Sequence, residues 1–167
     1  MEERLTPPGC WQVDPGRSTV GWSVQHFGVR TVAGTFTAFA GELHDDRASG
    51  SVTAASVETD DEQRDLFVRS DEFLDADAFP DLRFQATVAT GEPTRLDGDL
   101  TIRDTTLPIT LAVAHVHATE ATVDLRLRGT VCRRAYGLRF RQAMGAADHA
   151  VSDEVELDLD LVLVPAR

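Results

Sequence analysis

Val151–Val164 reads VSDEVELDLDLVLV, and its alternation decides the fold. Val151, Val155, Leu157, Leu159, Leu161 and Leu163 fall on one parity; Ser152, Glu154, Glu156, Asp158 and Asp160 fall on the other. A period of two puts the first set on one face of a strand and the second on the opposite face. One face leaves water and the other is rich in carboxylates. Most of the chain repeats this pattern, which predicts an antiparallel sheet, closed or nearly closed, with an apolar inside.

Working backwards, ATVDLRLRGTVC (121–132) sets Val123, Leu125, Leu127 and Val131 against Asp124, Arg126, Arg128 and Thr130. LDGDLTIR (96–103) and LPITLAVAHVH (107–117) read as a hairpin turning at Asp104–Thr105, with Leu96, Gly98, Leu100 and Ile102 on one parity. Residues 82–88 place Leu82, Phe84, Ala86 and Val88 on one face. Nearer the start, 19–27, 34–43 and 50–58 are strands; Phe36 and Phe39 differ in parity, which predicts a bulge or bend between them. Asp60–Phe79 has helical spacing instead. Asp60 with Gln63 resembles a capping box, Ser70 offers a second N-cap, Leu66, Phe67, Phe73 and Leu74 make an apolar stripe, and Pro80 ends the segment. Residues 137–150 break the alternation and read as a loop or short helix. The expectation is an all-β domain of eight antiparallel strands, with one helical insertion between strands three and four. Eight strands suffice to close a barrel around one small ligand; a sandwich with a filled core has the same periodicity.

The 167 residues suit one domain. Twenty-eight acidic against 16 basic residues give a net charge of -12, which argues against nucleic acid and against docking by charge on anionic lipid. No apolar run is long enough for a membrane helix, and MEERLTPPGC lacks the apolar core of a secretory leader, so a cytoplasmic location is expected. Cys10 and Cys132 have no metal-type spacing and read as free thiols.

Specific residues add a resemblance. Val13-Asp14-Pro15, Ser18, Trp22, His26, Gly28, Gly34, Phe36, Phe39 and Gly41 resemble the N-terminal signature of the YceI family in order and spacing. Arg64-Asp65, Arg69-Ser70, Phe73 and Phe79-Pro80 with Phe84 resemble its helical segment, LDGDLTIRDTTLPITL (96–111) its hairpin, and Arg133 with Tyr136-Gly137 its late Arg-aromatic-Gly element. Phe67 stands where the family commonly has His, Asp104 where a turn glycine is usual, and Ala135 where Asp is common. The resemblance implies a lipocalin-like barrel holding a polyisoprenoid or other amphiphilic lipid in its lumen, with no cofactor required. Among its members are homodimers and periplasmic proteins of bacteria.

The lining expected for such a lumen is Val20, Trp22, Val24, Phe36, Phe67, Phe84, Leu100, Ile102, Leu111, Val113, Val123, Leu125, Leu127, Leu157, Leu159 and Leu161; each would also serve as ordinary core. His26 shares the parity of Trp22 and is a candidate donor to a ligand headgroup, as are Arg133 and Tyr136. His115 and His117 form an H-x-H on the parity of Val113, a spacing compatible with a metal-dependent enzyme, although His44, His149 or a carboxylate would have to complete the site. Neither a nucleophile elbow nor a phosphate loop occurs, and Cys132 beside Arg133 and Arg134 reads as inert. The leading expectation is a non-enzymatic carrier or store for an apolar lipid, against a metalloenzyme using the same pocket and a filled-core interaction module.

Overall fold

The computed structural model describes residues 6–88, 95–140 and 150–166. Eleven strand segments pair antiparallel throughout: β1 (Cys10–Val13), β2 (Thr19–His26), β3 (Arg30–Phe36), β4 (Phe39–His44), β5 (Arg47–Thr53), β6 (Val57–Glu58), β7 (Asp81–Val88), β8 (Arg95–Ile102), β9 (Thr105–Ala118), β10 (Val123–Cys132) and β11 (Glu154–Pro165). They form a closed barrel of eight arms, because three arms are each split in two. β1 and β2 lie end to end along β11, through Val13↔Leu163 and Val20↔Leu159. β4 lies beside β1 and β3 beside β2, and β5 and β6 lie in turn beside β4 and β3. Single strands β7 to β11 complete the ring.

The splits have local causes. Pro15 has no N–H to give a ladder, and Asp14 caps a 3-10 turn at Pro15–Arg17 by accepting from Gly16 N at 3.0 Å and Arg17 Nε at 2.8 Å. The turn leaves the Val162 N–H of β11 facing no strand carbonyl, and Ser18 Oγ accepts it at 2.9 Å. The second split, at Thr37–Ala38, changes the strand's parity, so Phe36 and Phe39 both turn inward. Sequence reading ran 34–43 as one strand and missed both β1 and the start of β3.

Helix α1 (Glu62–Arg69) follows β6 and precedes β7. Its N-cap is Asp61, not Asp60: Asp61 Oδ1 accepts from Gln63 N at 3.0 Å and Arg64 N at 3.2 Å. Asp65 is buried and accepts from both Thr59 N and Thr59 Oγ1, fixing the approach to the helix. Ser70 ends the helix instead of starting a second one, since its hydroxyl and its N–H both donate to Phe67 O. Residues 71–79 continue as turns. Of the expected stripe, Leu66 faces solvent while Phe67, Phe73 and Leu74 are buried.

The closing strand begins at Glu154; Val151 makes only an isolated bridge to His26. From Val155 to Leu163 its odd positions face the barrel interior. On its outer face Arg126 grips Asp158 with two hydrogen bonds, of 3.0 and 2.7 Å. That hydrogen bond holds the Asp158 carboxyl below its ordinary 3.8. A carboxylate depressed in the folded state adds stability that is complete above its unfolded value of ~3.9 and lost as pH falls through the folded value. Asp158→Asn is therefore expected to flatten the stability profile below about pH 4 and leave its slope near pH 7 unchanged, as read by chemical denaturation. An unaltered acid limb would show that the pair carries no linkage.

Candidate functional site

The barrel interior is not filled. A cavity of about 420 Å³ runs through it, walled by inward positions of every arm and by α1 and the loop at one end. The wall takes in Val20, Trp22, Val24, His26, Phe36, Phe84, Leu100, Ile102, Leu111, Leu125, Leu127, Arg133, Leu157, Leu159 and Leu161. Alternation explains most of this. Leu125↔Leu161 and Leu127↔Leu159 are cross-strand partners, and so are Trp22↔Leu157 and Val20↔Leu159, so three strands put their apolar rows side by side. Gly34, opposite Trp22, leaves the space the indole occupies: a Cβ there would sit 2.4 Å from Trp22 Cζ2.

Four expected lining residues lie off this wall. Phe67 on α1 stacks with Phe140 (ring centroids 5.7 Å apart) and packs on Phe73, closing the barrel end behind Phe73 and Phe140. Val123 is fully buried at the opposite end, between Leu163 and Ala118. Val113 packs against the core where β9 runs past Ala112, the partner of the first residue of β8. Tyr136 turns its hydroxyl to Leu100 O at 2.9 Å, and burial pushes its phenol up from the usual 10.0.

Other wall residues escaped the sequence reading, among them Val13, Val32, Val68, Phe73 and Phe140, while Phe39 turns inward as its parity against Phe36 requires. Val13 belongs to a strand too short to show alternation, while Val68, Phe73 and Phe140 come from non-strand segments whose inward faces depend on docking. Gly41 and Gly50 pair across β4 and β5, next to Phe84, and keep the lumen wide at that level.

The buried polar groups on the wall divide into two kinds. Arg133 is only 1% exposed; it donates to Ser152 O, Leu138 O and Val151 O, each at 2.9 Å, and its guanidinium lies 5.0 Å from the Phe140 ring. Its position on the wall is thus built around fastening Leu138 to the segment that leads into β11. Arg133→Met removes the donors of three carbonyls and is expected to cost about 3 kcal/mol, at roughly 1 kcal/mol per hydrogen bond. Urea denaturation reads this; a loss within experimental error would mean that water replaces the guanidinium. By contrast, Trp22 Nε1 and His26 Nε2 are buried and hydrogen-bond to nothing among the described residues. The two side chains are four residues apart on the inward face of β2, and buried polar groups ordinarily have partners.

His115 and His117 do not face the lumen. β9 bulges at Ala114, so Leu127 pairs with Val113 but Arg126 pairs with His115 and Asp124 with His117. One extra residue reverses the parity. Both histidines are therefore exposed on the outer face, and no group of three potential ligands that could hold a metal occurs among the described residues. His149 lies outside those residues. Cys10 and Cys132 are unbridged, and no described helix is long and apolar enough to cross a membrane.

Comparison with known proteins agrees with this architecture. A polyisoprenoid-binding domain from Saccharophagus degradans superposes with a TM-score of 0.76 at 12% identity, covering 93% of this chain and 98% of that one. BcnA of Burkholderia cenocepacia superposes at 0.74 with 22% identity, covering 90% and 98%. At these identities the likeness is one of fold. In sequence, the UPF0312 protein SA2479 of Staphylococcus aureus is 25% identical over 158 residues, 87% of this chain and 91% of that protein. The profile of the YceI-like domain matches residues 11–163, nearly the full barrel, and the chain belongs to that family.

Proposed function

We propose that the protein binds a long apolar lipid, a polyisoprenoid chain by preference, in the barrel lumen and carries or stores it without chemical change. The carrying observation is the cavity of about 420 Å³ with a wall of valine, leucine, isoleucine and aromatic side chains. Such a wall binds by removing hydrocarbon from water, at ~25 cal/mol per Å² of apolar area. Several prenyl units would gain more than the ~8 kcal/mol of micromolar affinity, less the cost of ordering the chain. Trp22 and His26 carry two polar atoms on the inward face of β2, Nε1 and Nε2, that have no partner among the described residues, and a rotation of either ring would turn its atom towards the ligand's polar end. The described fold-relative from Saccharophagus degradans is named for polyisoprenoid binding, which supports the same ligand class. No cofactor enters this reading, and the outward turn of His115 and His117 weighs against a metalloenzyme using the lumen.

Native mass spectrometry of freshly purified protein, then titration with farnesol and longer prenyl alcohols, tests it. Adducts of prenyl mass that saturate at one per chain are expected. A bare chain that takes up none of them would overturn the reading.

A further inference from the structure

Two large apolar side chains point into solvent side by side. Phe27 is 67% exposed and Val29 88%, in the three-residue tip joining β2 to β3. The tip is a left-handed turn, with φ of 54° at Phe27 and 69° at Gly28. A bulky residue held at positive φ is uncommon, and such conformations gather at functional positions. Here the conformation presents an aromatic ring to water. The ring is also tied to the lumen: its centroid is 4.5 Å from that of His26, which lies on the cavity wall.

The sequence of the tip and its two strands is as unusual as its exposure. The chain has 28 carboxylates, yet none between Asp14 and Glu42, the stretch that contains all of β2 and β3. Arg30 flanks the tip. The neighbouring carboxylates, Asp153, Glu154 and Glu156, lie on the segment that runs antiparallel beside β2 (Phe27 N to Ala150 O, Ser152 N to Gln25 O, Glu156↔Ser23) and so recede from the tip along the barrel wall. An apolar tip without carboxylates can enter the headgroup region of a bilayer without stripping water from a charge, whereas the net charge of -12 opposes an anionic surface.

We propose that the Phe27-Gly28-Val29 tip docks the protein on a zwitterionic lipid bilayer and brings the lumen beside it. Aromatic side chains favour the interface between headgroups and hydrocarbon, and peripheral binding grows with the apolar area inserted. The inference rests on the lipid-binding reading of the lumen and adds to it the surface from which cargo passes.

Flotation of the full chain with phosphatidylcholine vesicles tests the proposal, with Phe27→Ser/Val29→Ser as the variant. Wild type is expected to float, and to float less when half the lipid is phosphatidylglycerol at low salt. The variant should lose at least about tenfold in partitioning. Its thermal midpoint and its uptake of a fluorescent prenyl alcohol from solution should match wild type. In Phe27→Trp, brominated phosphatidylcholine should quench the introduced indole more strongly than the same vesicles quench wild-type fluorescence. Wild type that stays with the soluble fraction, or a folded variant that floats equally well, overturns the proposal. So does a dimeric wild type that the double substitution renders monomeric without any flotation, since the tip would then be a contact between copies. Prenyl uptake that persists without flotation leaves the lumen reading intact; flotation without prenyl uptake removes that reading and leaves the tip as a membrane contact alone.

Discussion

Leu159→Asp is expected to abolish prenyl-alcohol binding, with affinity falling on the order of 100-fold or more. Leu159 lines the lumen between Val20 and Leu127. A carboxylate there keeps its water only while the lumen is wet. Filling the lumen with hydrocarbon would strip that water at several kcal/mol, and each 1.4 kcal/mol is tenfold in affinity. Gly50→Phe approaches the same question by steric means. A Cβ at Gly50 meets only Ala40 O, at 3.4 Å, so a side chain can enter without moving backbone. Its ring would occupy the space beside Phe84, and phenylalanine suits a strand better than glycine. Isothermal titration of both variants is the measurement. Two folded variants with unchanged affinity would place the ligand somewhere other than the lumen.

Gly98→Val should be the most damaging single change to the fold. Gly98 sits in β8 between Ala86 of β7 and Ile109 of β9. A Cβ there would lie 2.1 Å from Gln85 O and 2.8 Å from Ala86 Cα. Both obstacles are backbone, so no rotamer relieves the clash and the two strands must part. Overpacking of this kind costs about 3 kcal/mol or more. For a domain of this size that lowers Tm by roughly 10 °C. Thermal unfolding followed by circular dichroism checks it, with Gly50→Phe as a contrast in which bulk is added towards empty space. A Gly98→Val midpoint close to wild type would mean that β7 and β8 separate more easily than their register implies.

Alternation carried the barrel in advance because each strand is wet on one face and dry on the other. β10 and β11 show this best: Asp124, Arg126, Asp158 and Asp160 share the outer face, while Leu125, Leu127, Leu159 and Leu161 share the inner one. Where parity changes within a strand, the pattern misleads. The bulge at Ala114 moved His115 and His117 to the outer face, and nothing in LAVAHVHA marks the extra residue, since alanine and valine are tolerated on either side. The break at Thr37–Ala38 was foreseeable because two phenylalanines of opposite parity both needed cover. The helix cap moved by one residue because Asp60 and Asp61 are chemically the same, and only the backbone decides which faces the N–H groups. Cavity size was not legible at all: Leu157 or Phe84 reads the same whether its neighbour is another side chain or a void.

The lumen is closed by strands from opposite ends of the matched region, since β11 completes the ring by pairing with β1 and β2. Trp22 meets Leu157 only after everything between them has been synthesised. Until then the inner faces of β2, β3 and β10 have no enclosed interior to turn to, and such non-local closure folds slowly and leaves apolar surface exposed to aggregation meanwhile. A hydrophobic cargo present during synthesis would be enclosed by the last strand to arrive. Refolding in the presence of a prenyl alcohol therefore differs in kind from adding it to the finished barrel: in the first case the ligand is wrapped, in the second it must thread.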